Sequence, residues 1–253
     1  MTVANRLLDV ATIKVACGEC SLSRLCLPMG LDGGDMDRLD GLMKRPRPLR
    51  RGEHLFRAGD RFHSIYAVRS GSVKTYTPCH DGSEQVIGFH LPGELVGLDA
   101  IENEKHVCSA RVLETTSVCV LPFDRVQEVA RDLPSLQRHF LRLMSKELAQ
   151  DEAMLMLLGK ASAEERLATF LLSLAQRFKA RGFSETEFNL SMSRHDIGNY
   201  LGLAVETVSR MFSKLQEEGV LSVHRKNIRI HDAQRLRTMI RLDETTTVAR
   251  CCG

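Results

Sequence analysis

The stretch His195–Gly219, HDIGNYLGLAVETVSRMFSKLQEEG, decides the fold. Just ahead of it Ser193 and Asp196 stand three residues apart, a capping box that opens a helix at Arg194. That helix is expected to stop at Gly202, and a second to run from about Val205 to Glu218, before Gly219. Ile197, Leu201, Val208, Phe212 and Leu215 fall at helical spacing and supply the apolar faces that pack the pair. Ala204 takes the cap of the second helix, where Ser or Thr would contribute about 1 kcal/mol more. Residues 220–232, VLSVHRKNIRIHD, then read as two short strands around a basic turn. Two helices on a tight glycine turn, followed by such a wing, form a unit whose second helix enters the major groove of DNA.

Glu206, Ser209 and Arg210 stand at i, i+3 and i+4, so they share the exposed face of that second helix. Arg210 suits a bidentate bond to guanine, Glu206 a cytosine amino group, and Ser209 a base edge or a phosphate. As a plain surface pair, Glu206 and Arg210 would contribute only about 0.3–0.5 kcal/mol to the helix. Arg194, Lys214, Arg225 and Lys226 are candidate phosphate contacts. The net charge is +3, and its placement agrees with this reading. From Gly159 onward 15 Lys and Arg oppose 11 Asp and Glu, whereas before it 20 oppose 21. The excess positive charge therefore belongs to the part expected to meet nucleic acid.

Working upstream, residues 161–253 form the DNA-binding part, and Ser162 with Glu165 is a second capping box. The stripe Leu167, Phe170, Leu171 and Leu174 follows it, in a helix ending near Gly182. Residues 132–160 read as one long helix started by Asp132 and Pro134. Leu136, Phe140, Leu143, Glu147, Asp151, Met154 and Leu158 make a narrow stripe along it, suited to a partner helix or to the chain's own barrel. In a two-fold dimer Asp151 would face its own copy. Two carboxylates about 5 Å apart repel by roughly 3 kcal/mol at an effective dielectric of about 20, so such pairing would be poised rather than permanent. Residues 29–131 carry short β-rich runs (53–59, 64–71, 72–78, 84–93 and 117–123) bounded by Gly52, Gly59, Gly71, Gly82 and Gly93. This is the pattern of a β-roll or jelly roll, and the chain as a whole is α+β.

Residues 1–28 form a polar arm holding Cys17, Cys20 and Cys26 in VACGECSLSRLCLP. No apolar segment is long enough to span a bilayer and no leader is evident, which points to the cytoplasm. In that reducing compartment eight cysteines argue for metal or redox chemistry rather than disulfides. Three thiols need a fourth ligand. Cys119 lies in an apolar strand, where a lone Cys is more often a small core residue, and Cys108 near a turn is its rival. Cys79 reads as a free thiol, and Cys251 with Cys252 as part of a frayed tail. Thiolates suit zinc and iron–sulfur clusters alike, but no second closely spaced pair completes a zinc motif. Leu22, Leu25 and Leu27 alternate with the cysteines and either shield the site or pack the arm. No flavin, dinucleotide or phosphate-loop fingerprint and no nucleophile–base constellation is present, so an enzyme is not expected.

IGNYLGLAVETVSR (197–210), FRAGD, YAVRSG, VKTYT, GFHLPGELVGLDA (88–100), VLETTSVCVLPF (112–123) and the cysteine arm together resemble the FNR (fumarate and nitrate reduction) branch of the CRP/FNR transcription regulators. The likeness runs from Cys17 to about Asp232. It implies a [4Fe–4S] cluster on Cys17, Cys20, Cys26 and Cys119, a homodimer switched at Asp151, and oxygen as the signal. It further implies a palindromic TTGAT-like site on double-stranded DNA, and activation or repression of anaerobic respiration genes. RNA polymerase is the implied partner, met through Thr115 and the loop around Gly82. No cyclic nucleotide is expected, because Cys108 stands where nucleotide-binding relatives carry a phosphate-binding Arg. The remaining alternatives are a zinc-stabilised regulator and an iron–sulfur electron carrier.

Overall fold

The computed structural model describes residues 16–79 and 82–240; Cys251 and Cys252 lie outside them. The arm is a 3-10 turn, Cys17–Glu19, followed by reverse turns that lead into α1 (Gly33–Leu42). The sequence reading missed α1 because Gly33, Gly34 and Gly41 depress helix propensity. Burial of Leu39 and the Asp32 side chain, which accepts from the Asp35 N–H, hold it in place.

Seven antiparallel strands build the roll in two sheets. β1 (His54–Phe56), β6 (Ser109–Val112), β3 (Val73–Pro78) and β4 (Glu84–His90) lie side by side in one; β5 (Leu95–Val96), β2 (Ser64–Ser70) and β7 (Ser117–Pro122) form the other. The five expected runs are present. β5, two residues long, and β6, diluted by Ser109 and Arg111, lacked a readable pattern. Gly71 turns β2 into β3 at φ +80°, and a Cβ there would lie 2.6 Å from the Thr115 carbonyl oxygen. Only glycine meets both demands.

The expected long helix is present and unbroken, and a separate helix that the sequence reading missed precedes it. α2 (Phe123–Asp132) ends at Leu133, and α3 (Pro134–Lys160) restarts with proline in its first turn, where the missing N–H is harmless. Of the stripe from Leu136 to Leu158, only Asp151 is exposed. Leu136, Phe140 and Leu143 pack on the roll, Met154 packs on the C-terminal core, and Glu147 lines a cavity between them. The exposed apolar row is instead Leu141, Met144, Leu148 and Leu155. The two rows lie on neighbouring helix faces, and apolar spacing alone cannot say which one its own chain covers.

α4 (Ala163–Ala180) opens with the reciprocal Ser162–Glu165 box. β8 (Glu187–Asn189), α5 (Arg194–Leu201), α6 (Val205–Glu217), β9 (Leu221–His224), β10 (Asn227–Ile230) and α7 (Ala233–Met239) complete the chain. The wing is a three-stranded sheet, β8-β10-β9, whose first strand the sequence reading missed. Among the described residues no helix is long and apolar enough to cross a membrane.

The winged helix is docked onto the roll. β3 is buried on both faces, so its alternation disappears: Lys74 is 4% exposed and bonds Glu84 (3.1 Å) and Asp196 of α5 (2.8 Å). The Asn199 carboxamide of α5 accepts from the Val86 N–H and donates to the Glu84 carbonyl of β4, completing a sheet-like edge contact. Arg177 of α4 and Arg181, which caps its C-terminus, share Glu94. Burial alone would raise that carboxyl, but the two guanidiniums outweigh it and hold it at about 2.

Candidate functional site

The Ser193–Asp196 box starts α5, and Gly202 ends it at φ +63°. Gly198 lets α6 come close: a Cβ there would sit 2.7 Å from the Leu203 carbonyl oxygen. Ile197, Leu201, Val208, Phe212 and Leu215 are all buried between α4, α5 and α6, as expected, and Met211 joins them. With that face spent inward, Glu206, Ser209 and Arg210 stand exposed on the opposite one. Arg210 Nη2 lies 3.5 Å from the Thr207 hydroxyl, and the Ser209 hydroxyl donates to the Val205 carbonyl at 2.8 Å. Ser209 therefore offers an acceptor but not a free donor until DNA competes for it. α6 starts at Ala204 without a side-chain cap, so its first N–H groups stay open to an anion.

Of the four phosphate candidates, two have partners inside the chain. Arg194 stacks its guanidinium 3.2 Å above the Phe212 ring, and burial lowers it to about 10. Lys214 bonds Glu164 of α4 at 2.6 Å. Arg225 and Lys226 form the exposed turn of the wing, with Arg225 in the left-handed region at φ +57°. Glycine would be the usual residue there, and nothing in the neighbouring residues signals that conformation.

At the other end of the molecule Cys17, Cys20, Cys26 and Cys119 border one cavity of about 30 Å³, together with Leu22, Met43, Val68 and Arg69. Cys108 does not. It is buried inside the roll, its thiol 3.4 Å from Asp99, so its position near a turn in the sequence was misleading. Asp99 also accepts from the Val107 N–H (2.9 Å) and faces His106 Nδ1 (3.2 Å). Cys79 is exposed at the base of the β3–β4 turn. Leu27 is fully buried under α3 and packs the arm down, Leu22 lines the cavity, and Leu25 lies against Gly93.

Burial raises the Cys17 and Cys26 thiols to about 12 and also raises Cys119, so all three are protonated at neutral pH. Cys17 Sγ donates to Met43 Sδ at 3.3 Å. Among the described residues no three His, Cys, Asp or Glu side chains converge closely enough for a single ion, which with Zn–S near 2.3 Å needs sulfurs about 4 Å apart. A four-iron cluster takes one thiolate per iron and so spreads its ligands more widely.

Sequence reasoning missed Arg45, which the bridge between Lys44 and Val120 brings beside Cys119. Its Nη2 lies 3.7 Å from Cys17 Sγ and also bonds Asp40, which accepts the Cys17 N–H at 2.8 Å. Its Nε is buried without a hydrogen-bond partner. An unmet cationic donor beside the Cys17 and Cys119 sulfurs fits an anionic, sulfur-rich group. The arm is also joined to α3: His139, 5% exposed, bonds the Cys26 carbonyl at 3.2 Å, and burial keeps its ring neutral.

Comparison with known proteins gives the same picture over the length of the chain. Residues 46–132 match a cyclic nucleotide-binding domain and residues 165–239 a Crp-like helix-turn-helix domain. The transcriptional activator protein Anr of Pseudomonas protegens is 55% identical over 85% of this chain and 88% of its own. The fumarate and nitrate reduction regulatory protein of Salmonella typhimurium is 46% identical over 88% of this chain and 89% of its own. Among solved structures, FixK2 from Bradyrhizobium japonicum superposes with a TM-score of 0.73 at 31% identity, covering 79% of this chain and 98% of its own. A cysteine arm, a roll and a winged helix in one order, with relatives this close throughout, settle the matter: the chain belongs to the FNR branch of the CRP/FNR transcription regulators, which are not enzymes.

Proposed function

We propose that this chain is an oxygen-responsive transcriptional activator of the cytoplasm that holds a [4Fe–4S] cluster on Cys17, Cys20, Cys26 and Cys119. The observation that carries the proposal is that these four thiols border one cavity while the Cys26 carbonyl is bonded to His139 of α3. When bound, the cluster supplies an air-sensitive inorganic centre. Engaged as thiolates, the arm cysteines pin Leu27 and the Cys26–His139 bond against the first turns of α3. Released, they return to neutral thiols and the arm loses its anchor.

α3 then passes the signal on. Leu141, Met144, Leu148 and Leu155 form a row that a second copy covers, and Asp151 occupies the same heptad register as Met144. Apolar burial favours pairing and the facing carboxylates oppose it, so a small bias from the arm decides the outcome. The dimer sets two α6 helices one DNA turn apart on a palindromic TTGAT-like site, read by Glu206, Ser209 and Arg210. Exposed Thr115 and the loop at Gly82 face RNA polymerase at genes of anaerobic respiration. A cyclic nucleotide would meet Asp99 and Cys108 in the roll rather than a cation, which disfavours that effector.

The test is oxygen-free purification, with iron, sulfide, dimer content and operator binding measured before and after a pulse of air. About four iron and four sulfide per chain are expected, with dimer and DNA affinity lost together on aeration. Cys119→Ser should lack the iron and Cys108→Ser should keep it. Zinc in place of iron, or operator binding indifferent to metal removal, overturns the proposal.

A further inference from the structure

Arg45 is a part-buried charged side chain whose ion pair leaves one of its donors unmet. It is 13% exposed, lies against the thiols of Cys17 and Cys119, and shares Asp40 with the Cys17 backbone. A guanidinium has five N–H donors, and a buried one is stable only when they are met. Here Nη2 is divided between Asp40 and Cys17 Sγ at 3.7 Å, and Nε, on the buried edge, has nothing. Asp40 already offsets the charge, so the ion pair explains why Arg45 tolerates burial. It does not explain the unmet Nε–H.

We infer that Arg45 is a positioning residue for the sulfur-bound group, its guanidinium kept by Asp40 to donate N–H bonds to the Cys17 side of the site. This rests on the cluster reading above. Four thiolates around a cluster carry net negative charge into a buried pocket, and a fixed cationic donor offsets part of the desolvation cost. The bridge between Lys44 and Val120 fixes the distance between Arg45 and the strand bearing Cys119, while the Asp40 bond fixes it to the segment bearing Cys17. Arg45 thus ties the arm to the roll ligand without being a ligand itself. Donation to ligating sulfur withdraws electron density from the iron, so it raises the reduction potential of the site.

The experiment uses the full chain reconstituted without oxygen with ferrous iron and sulfide, as wild type, R45M and R45K. R45M keeps the bulk and removes charge and donors; R45K keeps the charge without a guanidinium edge. The expected result is a reduction potential more negative in R45M than in wild type, with cluster absorbance lost several-fold faster in air, and an intermediate position for R45K. Thermal unfolding of the iron-free proteins shows whether R45M folds. If it does not, R45K carries the comparison on its own, and a wild-type potential in R45K then overturns the inference. R45M with wild-type potential and wild-type lifetime overturns it while leaving the cluster reading intact. Wild-type chain that takes up no iron overturns the cluster reading and, with it, this one.

Discussion

Lys74 offers the sharpest test of how the winged helix is held to the roll. Its side chain is 6% exposed and lies between Asp196, 17% exposed at 2.8 Å, and Glu84, 33% exposed at 3.1 Å. Removing one partner of a fully buried ion pair costs about 3–5 kcal/mol. Here the loss is smaller, because Glu84 keeps Arg111 at 2.6 Å and Asp196 keeps the Ser193 hydroxyl at 2.6 Å. Lys74→Met should therefore destabilise the chain by about 2 kcal/mol, a drop of about 4–8 °C in Tm for a chain of this size. Urea denaturation at pH 7 measures it, and the cycle with Asp196→Asn should return a coupling of about 1–2 kcal/mol. Burial alone would raise the Asp196 carboxyl, but Lys74 and Ser193 outweigh it and hold it below its ordinary 3.8. A depressed acid stabilises the fold above its unfolded pKa and loses that contribution as pH falls through the folded one, so the effect of K74M should shrink below about pH 4. A loss under about 0.5 kcal/mol, or a coupling of zero, would refute the reasoning: the two domains would then be held by apolar packing and their other polar contacts, without Lys74.

Three further outcomes follow from the same structure. Glu147 is raised to about 7 by burial and by the neighbouring Glu94 and Asp151 carboxylates, against an ordinary 4.5. The stability it contributes is complete below about pH 4.5 and lost as pH rises through 7, so Glu147→Gln should flatten the fall in Tm across that window. Gly71→Ala forces a side chain into φ +80° and against the Thr115 carbonyl, and should cost at least 2–3 kcal/mol by urea denaturation. Leu148, 61% exposed on α3, should be neutral for monomer stability when changed to Lys, yet abolish the dimer in sedimentation of oxygen-free protein.

Much of the DNA-reading end was legible in the chain. Capping boxes, a glycine stop and apolar spacing are local signals, and the observed α5 and α6 bounds follow them to within a residue. What could not be read were weak elements secured by tertiary burial: α1 with three glycines, β5 with two residues, and β8, which exists because β10 pairs with it. α3 shows the limit most clearly. Its apolar spacing was visible and suited either a partner helix or its own barrel, and only the structure shows Leu136, Phe140, Leu143 and Met154 covered by their own chain while Asp151 stays exposed.

The thiol arm divides in the same way. Sequence alone supplied three closely spaced cysteines, because such spacing is a covalent fact of the chain. Which other groups gather around them depends on residues distant in sequence: Cys119 arrives by strand pairing, Arg45 by a bridge beside it, and His139 from a helix more than a hundred residues away. The amino-acid order by itself determined the helix-turn-helix and its exposed triad, since helical period and capping act within a few residues. Only the tertiary structure decided the burial of Cys108, the dual partnership of Lys74 and the unmet Nε–H of Arg45. Desolvation and hydrogen-bond satisfaction belong to an environment assembled from the whole chain, and no local stretch encodes it.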